Sequence, residues 1–198
     1  MEQTFFTAFV TLFLIVDPVG SIPALSAALK NVQPRRKNFV ITRECFFALL
    51  ILTLFAFFGQ NFMAVLGLSK EALTIGGGLV LLIIALRMLF PSRAGIYGDI
   101  EDGEPYIFPI AIPMLAGPSA LTTVMLMVSS DPSKIYTWIG AITLAMVSSA
   151  LIIISGDAIQ RLLGKRATVA FERLMGLILV VLAVQMFLSG IADYVHSL

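Results

Sequence analysis

Long apolar stretches alternate with short polar connections along this chain. Runs at about 4 to 29, 41 to 66, 71 to 90, 106 to 128, 134 to 160 and 170 to 192 each supply the roughly 20 helical residues that cross about 30 Å of hydrocarbon. Unpaired backbone groups are too costly in lipid for anything but helices or closed barrels, and the alternating strands of a barrel are missing. The pattern predicts an all-α polytopic membrane protein, 1–198 forming a single membrane domain of six transmembrane helices. The opening residues Met1, Glu2, Gln3 and Thr4 lack the positive charge of a signal peptide, so the first run reads as a permanent span.

Composition strengthens this expectation: 59% of residues are hydrophobic and 13% charged, whereas soluble domains carry roughly a quarter charged residues. A net charge of +1, without basic stretches interleaved with aromatics, argues against nucleic acid as a partner. Cys45 is the only cysteine, which rules out an intrachain disulfide and gives no sign of redox compartment; His196 is the only histidine and lies in the tail. No cofactor or metal is expected.

The distribution of positive charge suggests an orientation. Lys30, Arg35, Arg36, Lys37 and Arg43 flank the first connection, Arg87 and Arg93 the third, and Arg161, Lys165, Arg166 and Arg173 the fifth, eleven of the 13 Lys and Arg. The second and fourth hold only Lys70 and Lys134. By the positive-inside rule both termini face the periplasm or exterior. The longest connection, 91–105, with Asp99, Glu101, Asp102, Glu104 and three glycines, reads as an acidic cytoplasmic linker between repeat one, 1–90, and repeat two, 106–198.

The two halves resemble each other. Ile75 to Leu89 lies over Arg173 to Phe187, pairing Gly78 with Gly176, Ala85 with Ala183 and Met88 with Met186, at an offset of 98. Gly59 and Gly67 match Gly156 and Gly164, and Pro18 matches Pro118. Three spans per half force the second half to enter from the opposite face. The result is two inverted three-helix repeats, as in many secondary transporters.

Helices 1 and 4, equivalent in the two halves, are both predicted to be broken. Asp17-Pro18-Val19-Gly20-Ser21-Ile22-Pro23 interrupts the first, and Pro109, Pro113 and Gly117-Pro118-Ser119 interrupt the fourth. Each proline lacks a backbone donor and clashes one turn back. At 1.5 Å per residue both breaks lie about 18 Å from their span starts, near mid-membrane. Asp17 is suited to cap a half-helix beginning at Pro18, with Gly117-Pro118 starting its counterpart, and two such N-termini suit a substrate carboxylate. Buried acids in membranes usually line pathways, so Asp17 is also a candidate for coupling to a proton or sodium ion. Ser21, Ser119, Thr122 and Thr123 cluster around the breaks as candidate substrate contacts. Arg87 and Gln185 hold matching positions in spans three and six as further coupling candidates, although Arg87 near a span end is suited to snorkelling. Gly76-Gly77-Gly78 and the row Ala141, Ala145, Ser149 read as close helix packing.

The segments Asp17 to Pro23, Pro109 to Ser119 and Glu172 to Met186 resemble the MarC family of bacterial inner-membrane proteins, especially its YhgN-like branch. That resemblance covers nearly the whole chain. It implies a bacterial inner-membrane location, a six-span fold related to the lysine-exporter superfamily, and transport of small neutral amino acids such as glycine and alanine, described for some members. Where the family usually has Asn after the glycine of the first motif, this chain has Ser21.

The expected function is therefore secondary transport of a small neutral amino acid or similar metabolite by alternating access, in the bilayer and without ATP, since no nucleotide-binding loop is present. An intramembrane enzyme acting on lipid or isoprenoid phosphate is the first alternative, but one deep Asp, one tail His and one Cys make no catalytic set. A non-transporting scaffold is the second. A homo-oligomer fits any of the three.

Overall fold

A computed structural model describes residues 4–90 and 104–197. The described chain is helical almost throughout: α1 (Phe5–Val16), α2 (Pro18–Ala28), α3 (Pro34–Val65), α4 (Lys70–Leu89), a wide helical turn (Ile110–Leu115), α5 (Pro118–Ser130), a short 3-10 turn (Pro132–Lys134) and α6 (Ile135–Ser197). Four segments are long and apolar enough to cross a membrane: Phe5–Ser26, Pro34–Val65, Pro132–Gly156 and Gly176–His196. At 20 residues α4 also has the length of a span, whereas the apolar helix Pro118–Ser130 is shorter. The protein is a polytopic, all-helical membrane protein.

Local chemistry sets the helix ends. The Thr4 hydroxyl accepts from the Thr7 amide at 3.3 Å and starts α1, and Ser69 does the same for Ala72 at 3.1 Å at the head of α4. Pro34 occupies the first turn of α3, where its missing donor costs nothing. That helix stops at Gly67, whose φ of +62° lets the Leu68 amide fold back onto the Met63 carbonyl at 2.9 Å.

Packing follows the expected periodicity. Val40, Glu44, Ala48, Leu52, Ala56 and Met63 form the buried stripe of α3, while Phe39, Phe46, Leu50, Leu54, Phe57 and Phe62 point outward. An exposed face this apolar suits lipid, not water. Ala141, Ala145 and Ser149 are buried, as their small size predicts.

Two expected boundaries differ. Span four does not begin as helix at residue 106: Tyr106 to Pro109 forms a turn with Ile107 at φ +60°, and regular helix starts only at Pro118. Pro109 and Pro113 remove two donors there, leaving the looser Ile110–Leu115 turn. The residues that join the predicted spans five and six, moreover, are themselves helical, so both spans fall within α6. A straight helix of 63 residues would be roughly 95 Å long. Its two halves are not collinear, however. Gly140 lies against Phe5 and Gly156 against Ile22, so the first half runs with α1 and α2; Gly176 meets Met88 and Leu89 while Gly190 meets Ile75, so the second runs against α4. Because Ala24 packs with Ile84 and Met88, and α1 and α4 line one cavity, α1–α2 and α4 share a direction. The chain therefore reverses between Gly156 and Gly176.

Both ends of the described chain consequently lie at one end of the bundle. At the opposite end Arg36 pairs with Glu104 through two hydrogen bonds, of 2.6 and 3.0 Å. The Arg36 hydrogen bond holds the Glu104 carboxyl below its usual range. A carboxyl whose folded pKa is lowered contributes stability above its unfolded value and loses it as pH falls through the folded one. Glu104→Gln should therefore melt earlier than wild type at neutral pH, with the difference shrinking as the carboxyl is protonated in acid; thermal unfolding in detergent across a falling pH series checks this. The rest of the expected linker, 91–103, lies outside the described residues.

A candidate solute site between two helix breaks

The first break is at Asp17. With φ of +44°, this residue ends α1 while its carboxylate accepts from the Gly20 amide at 3.0 Å, so it caps α2 as the Asp-Pro pair predicts. Gly20 is required here, because a β-carbon at that position would overlap the Asp17 carboxylate. Pro18 has no N–H to return to the Leu14 carbonyl, and because the Gly20 amide is taken by Asp17, the Val16 carbonyl one turn before it receives the Ser21 hydroxyl at 3.4 Å instead.

At the second break, Gly117 precedes Pro118 at the head of α5 and offers no side chain to cap it. The amides of Ser119 and Ala120 thus have no helical partner. The two half-helix starts therefore differ in charge: one carries a carboxylate, the other presents bare donors.

Both breaks face a single cavity of about 540 Å³, a volume in the ordinary range for small-molecule sites. Asp17, Gly20, Ser21, Gly117, Pro118 and Ser119 all line it. Thr74, Gln185 and Ser189 complete its polar wall. The Gln185 amide donates to Ser189 at 3.1 Å, and the Thr74 hydroxyl is held by the Lys70 carbonyl at 2.9 Å. Pro118 packs tightly on Gly77, also a lining residue, where a β-carbon would collide with the proline ring.

Other predicted residues lie elsewhere. Pro23 is buried within α2, and Thr122 and Thr123 sit one turn beyond the cavity rim, with the Thr122 hydroxyl buried and unpartnered. Arg87 is on α4 towards the end opposite the termini, and its side chain lies outside the described residues. Thr74 and Ser189 were not anticipated. Among the described residues no group of three or more His, Cys, Asp or Glu is gathered as for a metal ion.

The cavity is directional. Its walls include Thr74 and Ser189, towards the end of the bundle that holds the termini. Below Asp17 the space is filled by Ala24, Ile84 and Met88, packed with Val80, Met114 and Leu179. These apolar side chains form a plug on the far side.

The chain is thus a polytopic helical membrane protein in which two helix breaks line one cavity. Residues 2–195 match the MarC family of integral membrane proteins, and the chain belongs to that family. It is 41% identical over 186 residues to the UPF0056 inner membrane protein YhgN of Escherichia coli K12, covering 93% of this chain and 94% of the relative. A UPF0056 membrane protein of Buchnera aphidicola from Baizongia pistaciae is 40% identical, covering 94% and 96%. One from Pyrococcus abyssi is 33% identical, covering 96% and 94%. No solved structure matches.

Proposed function

We propose that this protein is a secondary transporter of a small neutral amino acid or a similar small zwitterion, coupled to a proton or sodium ion. The observation that carries this reading is the charge asymmetry of the two breaks within one cavity. An ammonium group is matched by the exposed Asp17 carboxylate, and a carboxylate by the uncapped Ser119 and Ala120 amides at the head of α5. Ser21, Ser119 and Gln185 supply neutral contacts between them.

Alternating access fits the way the halves cross. Gly78 packs against Met186 and Gly176 against Met88, although Gly78 matches Gly176 and Met88 matches Met186 in the repeat alignment. Such reciprocal contacts are what a two-fold axis in the membrane plane produces, and they support the inverted repeat. With both termini periplasmic, the polar wall of Thr74 and Ser189 lies towards the outside and the Ala24, Ile84 and Met88 cluster plugs the cytoplasmic side. Alternate opening of the two sides would carry a solute across.

Purified protein in liposomes, given radiolabelled glycine, alanine or serine, should show counterflow above empty liposomes, and accumulation only under an imposed pH or sodium gradient. Failure of all three solutes to exchange would remove the amino-acid assignment.

A further inference from the structure

Glu44 is fully buried, in the middle of the packed stripe of α3, and the solute site does not use it. Its Oε1 is held by Arg43 Nε at 3.0 Å and by a terminal guanidinium nitrogen at 2.9 Å, while Oε2 is buried with no partner. A buried carboxylate left half-satisfied is expensive, so the pair is an unpromising source of stability alone. Arg43, moreover, does not serve Glu44 only. It donates to the Pro105 carbonyl and lies over the Tyr106 ring, 4.7 Å from its centre, and Tyr106 also packs edge-on against Phe47 of α3 at 5.3 Å.

Pro105 and Tyr106 are the residues through which the chain enters the Ile110–Leu115 turn. That turn carries Met114, which lines the cavity and also packs on the Ala24, Ile84, Met88 plug. A chain of contacts thus runs from Glu44 through Arg43 to the entry of the turn, and through the turn to the plug. We infer that Glu44 is a positioning residue: it orients Arg43 as a latch that holds the Pro105–Tyr106 entry against α3 and keeps the plugged end of the cavity shut. Opening that end requires the guanidinium to release the Pro105 carbonyl and the Tyr106 ring. The latch rests on the alternating-access reading for its purpose, but closure itself can be measured without any substrate.

The chain supplies its own reporter. Cys45, its only cysteine, neighbours Glu44, is 4% exposed, and shares a core with Ile110 and Ala111 of the turn that the latch holds down. The full-length protein in native membranes is treated with a charged, impermeant methanethiosulfonate, from each face in turn, with Cys45→Ser as the blank. Wild type should react slowly from both faces. Glu44→Gln and Tyr106→Ala should react about tenfold faster, and only from the face opposite the termini, as expected when a local opening is eased without loss of the fold. Glu44→Asp, which keeps the charge, and Tyr106→Phe, which keeps the ring, should both stay within about threefold of wild type. Tyr106 is 61% exposed, so its variants test the latch even where Glu44→Gln does not fold. Unchanged labelling in Tyr106→Ala, equal acceleration in Tyr106→Phe, or acceleration from both faces would overturn the latch while leaving the solute site, tested by counterflow, untouched.

Discussion

Asp17→Asn should abolish gradient-driven flux while leaving folded protein in the membrane. The amide oxygen of Asn can still accept from the Gly20 amide, and Asn is as good an N-cap as Asp, so the break and the start of α2 should survive. The negative charge facing the cavity is what disappears. A hydrogen bond to a charged group is worth about 1.5–3 kcal/mol, so substrate or ion retention should fall by about 10- to 100-fold. Asp17→Ala is the contrasting change: it also removes the cap, at about 1 kcal/mol, and should lower thermal stability as well as flux. Uptake in proteoliposomes with and without an imposed gradient, paired with thermal unfolding in detergent, separates the two effects. Full coupled flux in Asp17→Asn would reduce Asp17 to a helix cap.

The breaks were legible in the sequence because their cause is local. A proline lacks its donor wherever the chain puts it, and Asp before proline is a capping pair before any tertiary contact exists, so Asp17-Pro18 and Gly117-Pro118 could be placed from sequence alone. Gln185 was also within reach, through its match with Arg87 in the repeat. Thr74 and Ser189 were not, since an isolated hydroxyl on an apolar helix looks the same whether it bonds its own backbone or faces a cavity, and only the crossing of α4 with the second half of α6 brings these two to the site. Thr122 and Thr123 were named for their nearness to the break, but a helix carries residues away from its start at about 1.5 Å each, and one turn takes them past the rim.

Glu44 had a signal that went unused. It stands in the i, i+4 row of Val40, Ala48 and Leu52, where a carboxylate is out of place, yet Arg43 beside it reads as one more charge flanking a basic connection. At the join of spans five and six, Arg161, Lys165 and Arg166 read as a connection, and the chain does reverse there; what composition did not show is that its backbone stays helical, although Arg, Lys, Leu and Ala are all good helix formers.

Two neighbouring glycines on α4 should behave very differently, and their contrast tests the geometry of the site directly. Gly77→Val should destabilise the protein and silence flux, whereas Gly76→Val should do neither. Both substitutions put the same β-branched residue into the same helix, so any difference in intrinsic helix preference cancels. What remains is space. A β-carbon at Gly77 would overlap the Pro118 ring, which cannot swing aside as a flexible chain would, while Gly76 has nothing within 4 Å. Forcing atoms into a filled contact costs about 1–3 kcal/mol, against about 0.5 kcal/mol or less for an open surface position. Relief can come only by moving α5 away from α4, which carries Ser119 and Ala120 off the wall of the cavity they line with Asp17. Heat-resistant protein recovered by size exclusion and counterflow of labelled alanine measure the two consequences together. Equal effects of the two substitutions would mean that α4 does not brace Pro118, and the second break would then lack the rigid backing that keeps its bare amides facing the cavity.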